Sequence, residues 1–278
     1  MIGVFDSGFG GLTVFRALAE RFQHQDFVYL GDHANVPYGN RPADDVLKLT
    51  QAAVAHLFAS GCRLVLLGCN TATAVAARHM QTNWLPTTEW KGRGHNVLGI
   101  IAPTVEAATQ TPWAVTTPQY PQKYNAERIA VFGTARTVSS GVYAEEISKR
   151  CPRVQVQMIV CPGLAGAIEA RAPRAELSSM VEAACSEADA PDRAILGCTH
   201  FPLAAELFSE HLPANTRILS QPNIVADSLE NYFERHPHFV GRDKPGARDL
   251  RLMTTGDPAV VSEHAAVFWP NAPEFVAA

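Results

Sequence analysis

Short, unbroken apolar runs alternate with longer amphipathic stretches along almost the whole chain, and that alternation leaves few folds open. Residues 2–5, 27–30, 64–68, 97–101, 129–132, 154–160, 194–197 and 216–219 each read as a strand buried on both faces. Between them, residues 12–21, 43–60, 139–150, 175–188 and 202–211 carry helical periodicity. Continuous apolar strands separated by helices predict an α/β fold of doubly wound parallel sheets. Such sheets hold their ligands beyond the carboxyl ends of the strands. Those strand ends are therefore the places to read for chemistry.

The pattern is also written twice. Ile2-Gly3-Val4-Phe5-Asp6-Ser7 is matched by Ile129-Ala130-Val131-Phe132-Gly133-Thr134. Val65-Leu66-Leu67-Gly68-Cys69-Asn70-Thr71 is matched by Ala194-Ile195-Leu196-Gly197-Cys198-Thr199-His200, and Ile101-Ala102-Pro103 more weakly by Ser220-Gln221-Pro222. The matches occur in the same order at similar offsets, so the chain is expected to form two pseudo-symmetric α/β lobes facing each other across a cleft. Shared apolar strands alone would explain the first match. They would not explain an apolar-Gly-Cys-polar-polar signature at two strand ends. The 278 residues suffice for two such lobes. Residues 81–96 and 109–125 are rich in Trp, Tyr and Pro and read as excursions with their own packing, suited to an interface, a lid or a packed surface loop.

Composition narrows the partners. With 23 Lys and Arg against 27 Asp and Glu, the net charge of −4 argues against a nucleic-acid partner. The longest apolar block, residues 64–77, is interrupted by Asn70, Thr71 and Thr73 and is too short to span a bilayer. No signal peptide is visible at the start of the chain. The six cysteines form no Cys-x-x-Cys pair, and the expected compartment is a reducing cytoplasm with free thiols.

A cysteine that ends a buried strand and precedes small polar residues sits at a helix start. There free N–H groups and the helix dipole favour a thiolate and an anionic ligand. Such a cysteine also makes a good small core hydrophobe, but two at equivalent places in facing lobes would put thiols on opposite sides of one cleft. Inverting a stereocentre by proton transfer needs that arrangement. One thiolate removes the Cα proton, the opposite thiol delivers another to the far face, and the roles exchange in reverse. The carbanion between them needs hydrogen-bond donors around the carboxylate. Asn70, Thr71, Thr199 and the backbone at the helix starts are candidates. Asp6 is expected to exchange a proton with Cys69, and His200 with Cys198. The turn Asp6-Ser7-Gly8-Phe9-Gly10-Gly11 places Thr13 where a dinucleotide fingerprint requires glycine, so its glycines read as room for a small ligand. Val36-Pro37-Tyr38-Gly39 is a second candidate ligand loop. With no recognisable pyridoxal lysine and no metal-ligand spacing, no cofactor and no metal are expected.

These residues resemble the bacterial glutamate racemases of the aspartate/glutamate racemase superfamily. The matching stretches are the segment Ile2 to Leu12, Gly31-Asp32 with Val36 to Gly39, Cys69-Asn70-Thr71-Ala72-Thr73-Ala74, and Leu196-Gly197-Cys198-Thr199-His200-Phe201-Pro202-Leu203. Ser140-Gly141 with Tyr143, and Thr255-Gly256-Asp257-Pro258, also match. The resemblance implies cofactor-independent interconversion of L- and D-glutamate, supplying D-glutamate for peptidoglycan, with Cys69 acting on the D enantiomer and Cys198 on the L. It implies that Asp6, Ser7, Tyr38, Gly39, Asn70, Thr71, Thr199 and His200 contact or assist the substrate, and that a homodimer is possible. It further implies an inserted second lobe, with residues 1–97 plus 211–278 in the first lobe and 98–210 in the second. The chain departs from the resembled pattern at Ala102-Pro103-Thr104, where many members carry Glu-Pro-Gly, and at Ser220 to Asn223, where many carry Asp-Ser-Gly-Ala. Two other readings stay open. One is a racemase for aspartate or another amino acid, separable by the loss of α-deuterium from each substrate. The other is a non-catalytic binding or inhibitor protein on the same fold, which predicts a missing cysteine.

Overall fold

The computed structural model describes residues 1–120, 128–241 and 248–278. Ten strands and eleven α-helices follow in chain order among the described residues. They are β1 (Ile2–Asp6), α1 (Leu12–Arg21), β2 (Phe27–Gly31), α2 (Ala43–Ala59), β3 (Leu64–Leu67), α3 (Asn70–His79), β4 (Asn96–Gly99) and α4 (Ile101–Thr109). There follow β5 (Arg128–Gly133), α5 (Ala135–Ser139), α6 (Val142–Arg150), β6 (Gln155–Val160), α7 (Leu164–Glu169), α8 (Arg174–Ser186), β7 (Arg193–Gly197) and α9 (Ala205–His211). The last are β8 (Arg217–Leu219), α10 (Gln221–Arg235), β9 (Leu250–Thr254), α11 (Pro258–Ala265) and β10 (Phe275–Ala277).

The strands form two all-parallel sheets. The first runs β10-β9-β2-β1-β3-β4 and the second β6-β5-β7-β8. The order β2-β1-β3-β4 of one reappears as β6-β5-β7-β8 in the other, so the duplicated sequence motifs occupy equivalent strands. β1, β3 and β7 are buried along their whole length, as helices covering both faces require. Two apolar clusters flank the first sheet, one under α1 and α10 and the other under α2 and α3. Two more flank the second sheet.

The lobe boundaries differ from the sequence expectation. β4 runs to Gly99 in the first sheet, and Ile101 already opens a helix rather than ending a strand. Residues 217–219 pair with Arg193–Ile195 in the second sheet, so the chain returns to the first lobe after Leu219, not at residue 211. The return is made by α10, whose Val225, Ala226, Leu229 and Phe233 pack with Leu12, Phe15 and Leu18 of α1. The helix expected over 139–150 begins only at Val142, because Gly141 takes a left-handed φ of 68° and Ser139 ends the preceding α5. β9 and β10 carry no clear strand signal, and they extend the first sheet beyond β2.

The first excursion is packed. Trp84 stacks on Phe58 at 6.4 Å, and Trp90 lies 5.2 Å from the same ring. In the second, the Arg150 guanidinium lies over Trp113 at 4.4 Å and donates to its carbonyl. Pro121 and Tyr124 lie outside the described residues. Among the described residues no helix is long and apolar enough to cross a membrane.

Candidate active site

Both cysteine signatures end at the same cavity. The strands β3 and β7 run parallel to their neighbours and point their carboxyl ends at the gap between the lobes. A cavity of about 490 Å³ lies there, lined by Cys69 from one lobe and Cys198 from the other. That volume suits a small metabolite. Ser7, Tyr38, Gly39, Asn70, Thr71, Thr199 and His200 line the same cavity. Asp6 stands just behind it, buried at the end of β1.

Cys69 is the N-cap of α3, and its Sγ accepts the Ala72 N–H at 3.4 Å. The Ser7 hydroxyl donates to the same sulfur at 3.3 Å. Burial, and then the charge of Asp6, push the Cys69 thiol up to about 12, although the Ser7 and Ala72 hydrogen bonds pull the other way. Cys69 is therefore a protonated donor at neutral pH. Burial also raises the Asp6 carboxyl above its ordinary value, with the charge of His200 working against it. Asp6 Oδ2 accepts the Gly8 N–H at 2.8 Å, which fixes the carboxylate under the glycine turn.

The other side of the cavity is a chain of three groups. Cys198 Sγ lies 3.5 Å from His200 Nδ1, and His200 Nε2 lies 2.6 Å from Glu169 Oε1. Burial works against a charged ring here, but the Cys198 sulfur and the Glu169 carboxylate outweigh it and raise His200 to about 10. The imidazolium then donates to sulfur with one nitrogen and to the carboxylate with the other. Glu169 ends α7, 31 residues before His200. Sequence reasoning missed it, because nothing in its neighbourhood distinguishes it from any helix-terminal glutamate.

The glycine turn is shaped by what crosses it. A Cβ on Gly10 would come within 2.4 Å of His200 Nδ1 and 2.5 Å of Thr199 Oγ1. The Thr13 hydroxyl reaches the Thr199 carbonyl at 2.9 Å, tying the start of α1 to the other lobe. Thr71 Oγ1 meets Thr134 and Thr137 at 3.0 and 3.2 Å, a hydroxyl cluster that brings Thr134 to the cavity wall. The Tyr38 hydroxyl donates to Asp32 Oδ2 at 2.6 Å, so the phenol is held in the wall rather than aimed at a ligand. The Asn70 side chain, at the cavity wall, is hydrogen-bonded into a buried amide and hydroxyl network.

The sequence matches the profile of the Asp/Glu/hydantoin racemase family over residues 2–226. The chain belongs to that family. It is 47% identical over 276 residues to a glutamate racemase of Phenylobacterium zucineum, covering 96% of each chain. It is 46% identical over 285 residues to a glutamate racemase of a Caulobacter species, covering 100% of this chain and 99% of the other. Glutamate racemase isoform RacE1 from Bacillus anthracis has the same fold, with a TM-score of 0.86 at 24% identity, covering 100% of this chain and 97% of the other. The chain carries two α/β lobes with a thiol at each wall of the cavity between them.

Proposed function

We propose that this protein is a glutamate racemase that interconverts L- and D-glutamate by two-base proton transfer between Cys69 and Cys198, without a cofactor. The observation that carries the proposal is the meeting of two thiols, from equivalent strand ends of two lobes, in one cavity with room for an amino acid. The choice of glutamate rests on the names of relatives that share more than 40% of the sequence over nearly the full chain.

In the L-to-D direction Cys198 removes the Cα proton while Cys69, which burial keeps protonated, delivers its own to the opposite face. The negative charge passes to the substrate carboxylate, where the N–H groups at the start of α3 and the nearby threonine hydroxyls stabilise it. The His200 imidazolium, braced by Glu169, donates toward the Cys198 sulfur and stabilises its negative charge before that sulfur takes the Cα proton. In the D-to-L direction Cys69 must first lose its proton, and Asp6, the carboxylate whose charge acts on that thiol, receives it. The product D-glutamate suits peptidoglycan assembly.

Circular dichroism of the purified protein with D-glutamate and no additive tests the reading. The signal should decay to zero and should persist with Cys69→Ala or Cys198→Ala. Substrate-derived α-deuterium washed out of aspartate but not glutamate would overturn the substrate assignment.

A further inference from the structure

Behind the cavity wall the side chain of Asn70 closes a network that crosses both lobes. Asn70 opens α3, immediately after Cys69. Gln221 opens α10, Tyr143 lies in α6 and Thr104 in α4. All four are buried, three of them completely. Asn70 Nδ2 donates to Gln221 Oε1 at 2.6 Å, and Gln221 Nε2 returns a hydrogen bond to Asn70 Oδ1 at 3.1 Å. The Tyr143 hydroxyl donates to Asn70 Oδ1 at 2.7 Å. Gln221 Nε2 also reaches Thr104 Oγ1 at 2.9 Å and the Tyr143 oxygen at 3.2 Å.

The donor and acceptor count fixes how Asn70 sits. Its oxygen has two lone pairs, and both are taken. Its nitrogen has two hydrogens, and one is spent on Gln221. With the Asn70 amide reversed against a fixed Gln221, the reciprocal pair would set donor against donor and acceptor against acceptor. Asn70 is therefore held in one orientation, with a single N–H left over at a residue that lines the cavity.

We propose that Gln221 is a positioning residue for the reaction, acting through Asn70. Its amide locks the Asn70 amide so that the free N–H is presented to the bound carboxylate beside Cys69. Gln221 touches no substrate, and it lies outside the cavity lining. Thr104 and Gln221 come from the two segments where the sequence departs from the resembled family pattern, and here they contact each other. Their contact supplies the outer anchor of the network. The inference rests on the proposed racemase reading for its kinetic arm only.

The test is a double-mutant cycle. Gln221→Met keeps the bulk and removes every hydrogen bond. It should lower kcat/KM about 5- to 30-fold, the loss that a buried hydrogen bond brings. The loss should be equal for both enantiomers, as the equilibrium between them requires. Added to Asn70→Ala it should cause no further loss, because the group it positions is already gone. Tyr143→Phe, which removes the other hydrogen bond donated to Asn70 Oδ1, should behave the same way and serves if Gln221→Met does not fold. Wild-type kcat/KM in Gln221→Met, or losses that add to those of Asn70→Ala, would overturn the proposal. An arm independent of turnover uses the Asn70 side-chain amide signals in nitrogen–proton spectra, assigned by their disappearance in Asn70→Ala. They should shift in Gln221→Met. If they stay in place, the locking is refuted even in a protein that acts on another substrate. If they shift while glutamate is not racemised, only the substrate reading fails.

Discussion

Replacing Glu169 with Gln asks whether the charge on His200 is set by its neighbours. The exchange keeps an oxygen acceptor at the 2.6 Å contact with Nε2 and removes the negative charge. In the wild type His200 is raised to about 10 in spite of its burial. A charge-assisted hydrogen bond is worth about 1–2 kcal/mol more than a neutral one. At about 1.4 kcal/mol per unit, that lowers the His200 titration by about 0.7–1.4 units. Glu169 is about a third exposed, so the lower end is expected. The titration can be followed directly by the imidazole carbon–proton signals of His200 between neutral and alkaline pH. The alkaline limb of L-to-D kcat should shift acidward by the same amount.

Stability supplies a second reading with a definite sign. His200 binds its proton more tightly in the folded chain than in the unfolded one, where the value is 6.5. Its contribution is therefore full below about 6.5 and is lost as pH rises toward about 10. Across that window a single proton gives a slope approaching about −1.4 kcal/mol per pH unit. In Glu169→Gln the falling segment should end about one unit earlier. A wild-type His200 that titrates near its ordinary value, or one unmoved by the substitution, would refute the charge relay drawn from Cys198 to Glu169.

Cys69→Ser and Cys198→Ser should each slow the direction in which that residue removes the proton more than the reverse, as measured by single-direction kcat and substrate α-deuterium isotope effects. Asp6→Asn should impair mainly D-to-L kcat and His200→Asn mainly L-to-D kcat, each by about 10²–10⁴-fold; equal losses and equal isotope effects in both directions would reject the pairing of helpers with thiols. Gly10→Ala should displace the His200 ring, which an added Cβ would meet at 2.4 Å, lowering kcat and destabilising the fold by about 1–3 kcal/mol in thermal or urea unfolding. Dialysis of the wild type against a chelator and a carbonyl reagent should leave racemisation unchanged, and a loss of activity would point to a metal or a carbonyl cofactor.

The sequence by itself determined the elements whose signal is local. Apolar runs at β1, β3, β5 and β7, bounded by glycines and polar residues, read as doubly covered strands, and Ser7, Cys69, Thr134 and Cys198 just beyond them line the cavity. The repeated Gly-Cys-polar-polar signature placed Cys69 and Cys198 at equivalent strand ends, because strand period and helix capping are encoded within a few residues. β9 and β10 escaped notice for the same reason. In β9 Arg251 interrupts the apolar run, and the three-residue β10 keeps only Phe275 buried, so no local run announces them. Neither did local patterns reveal that residues 217–219 pair with β7, since pairing depends on which strand edge is free.

Only the tertiary structure decided what stands behind each thiol. Glu169 meets His200 because α7 and the strand end of β7 converge on one cavity wall. Gln221 meets Asn70 across 151 residues, because α10 crosses back to the first lobe at the point where α3 begins. Ser7, not Asp6, makes the hydrogen bond to Cys69, a matter of side-chain direction at the end of one strand. A sequence specifies hydrophobic period and backbone turns over short distances. The charge on a histidine and the orientation of a buried amide are set by groups that only folding brings within 3 Å.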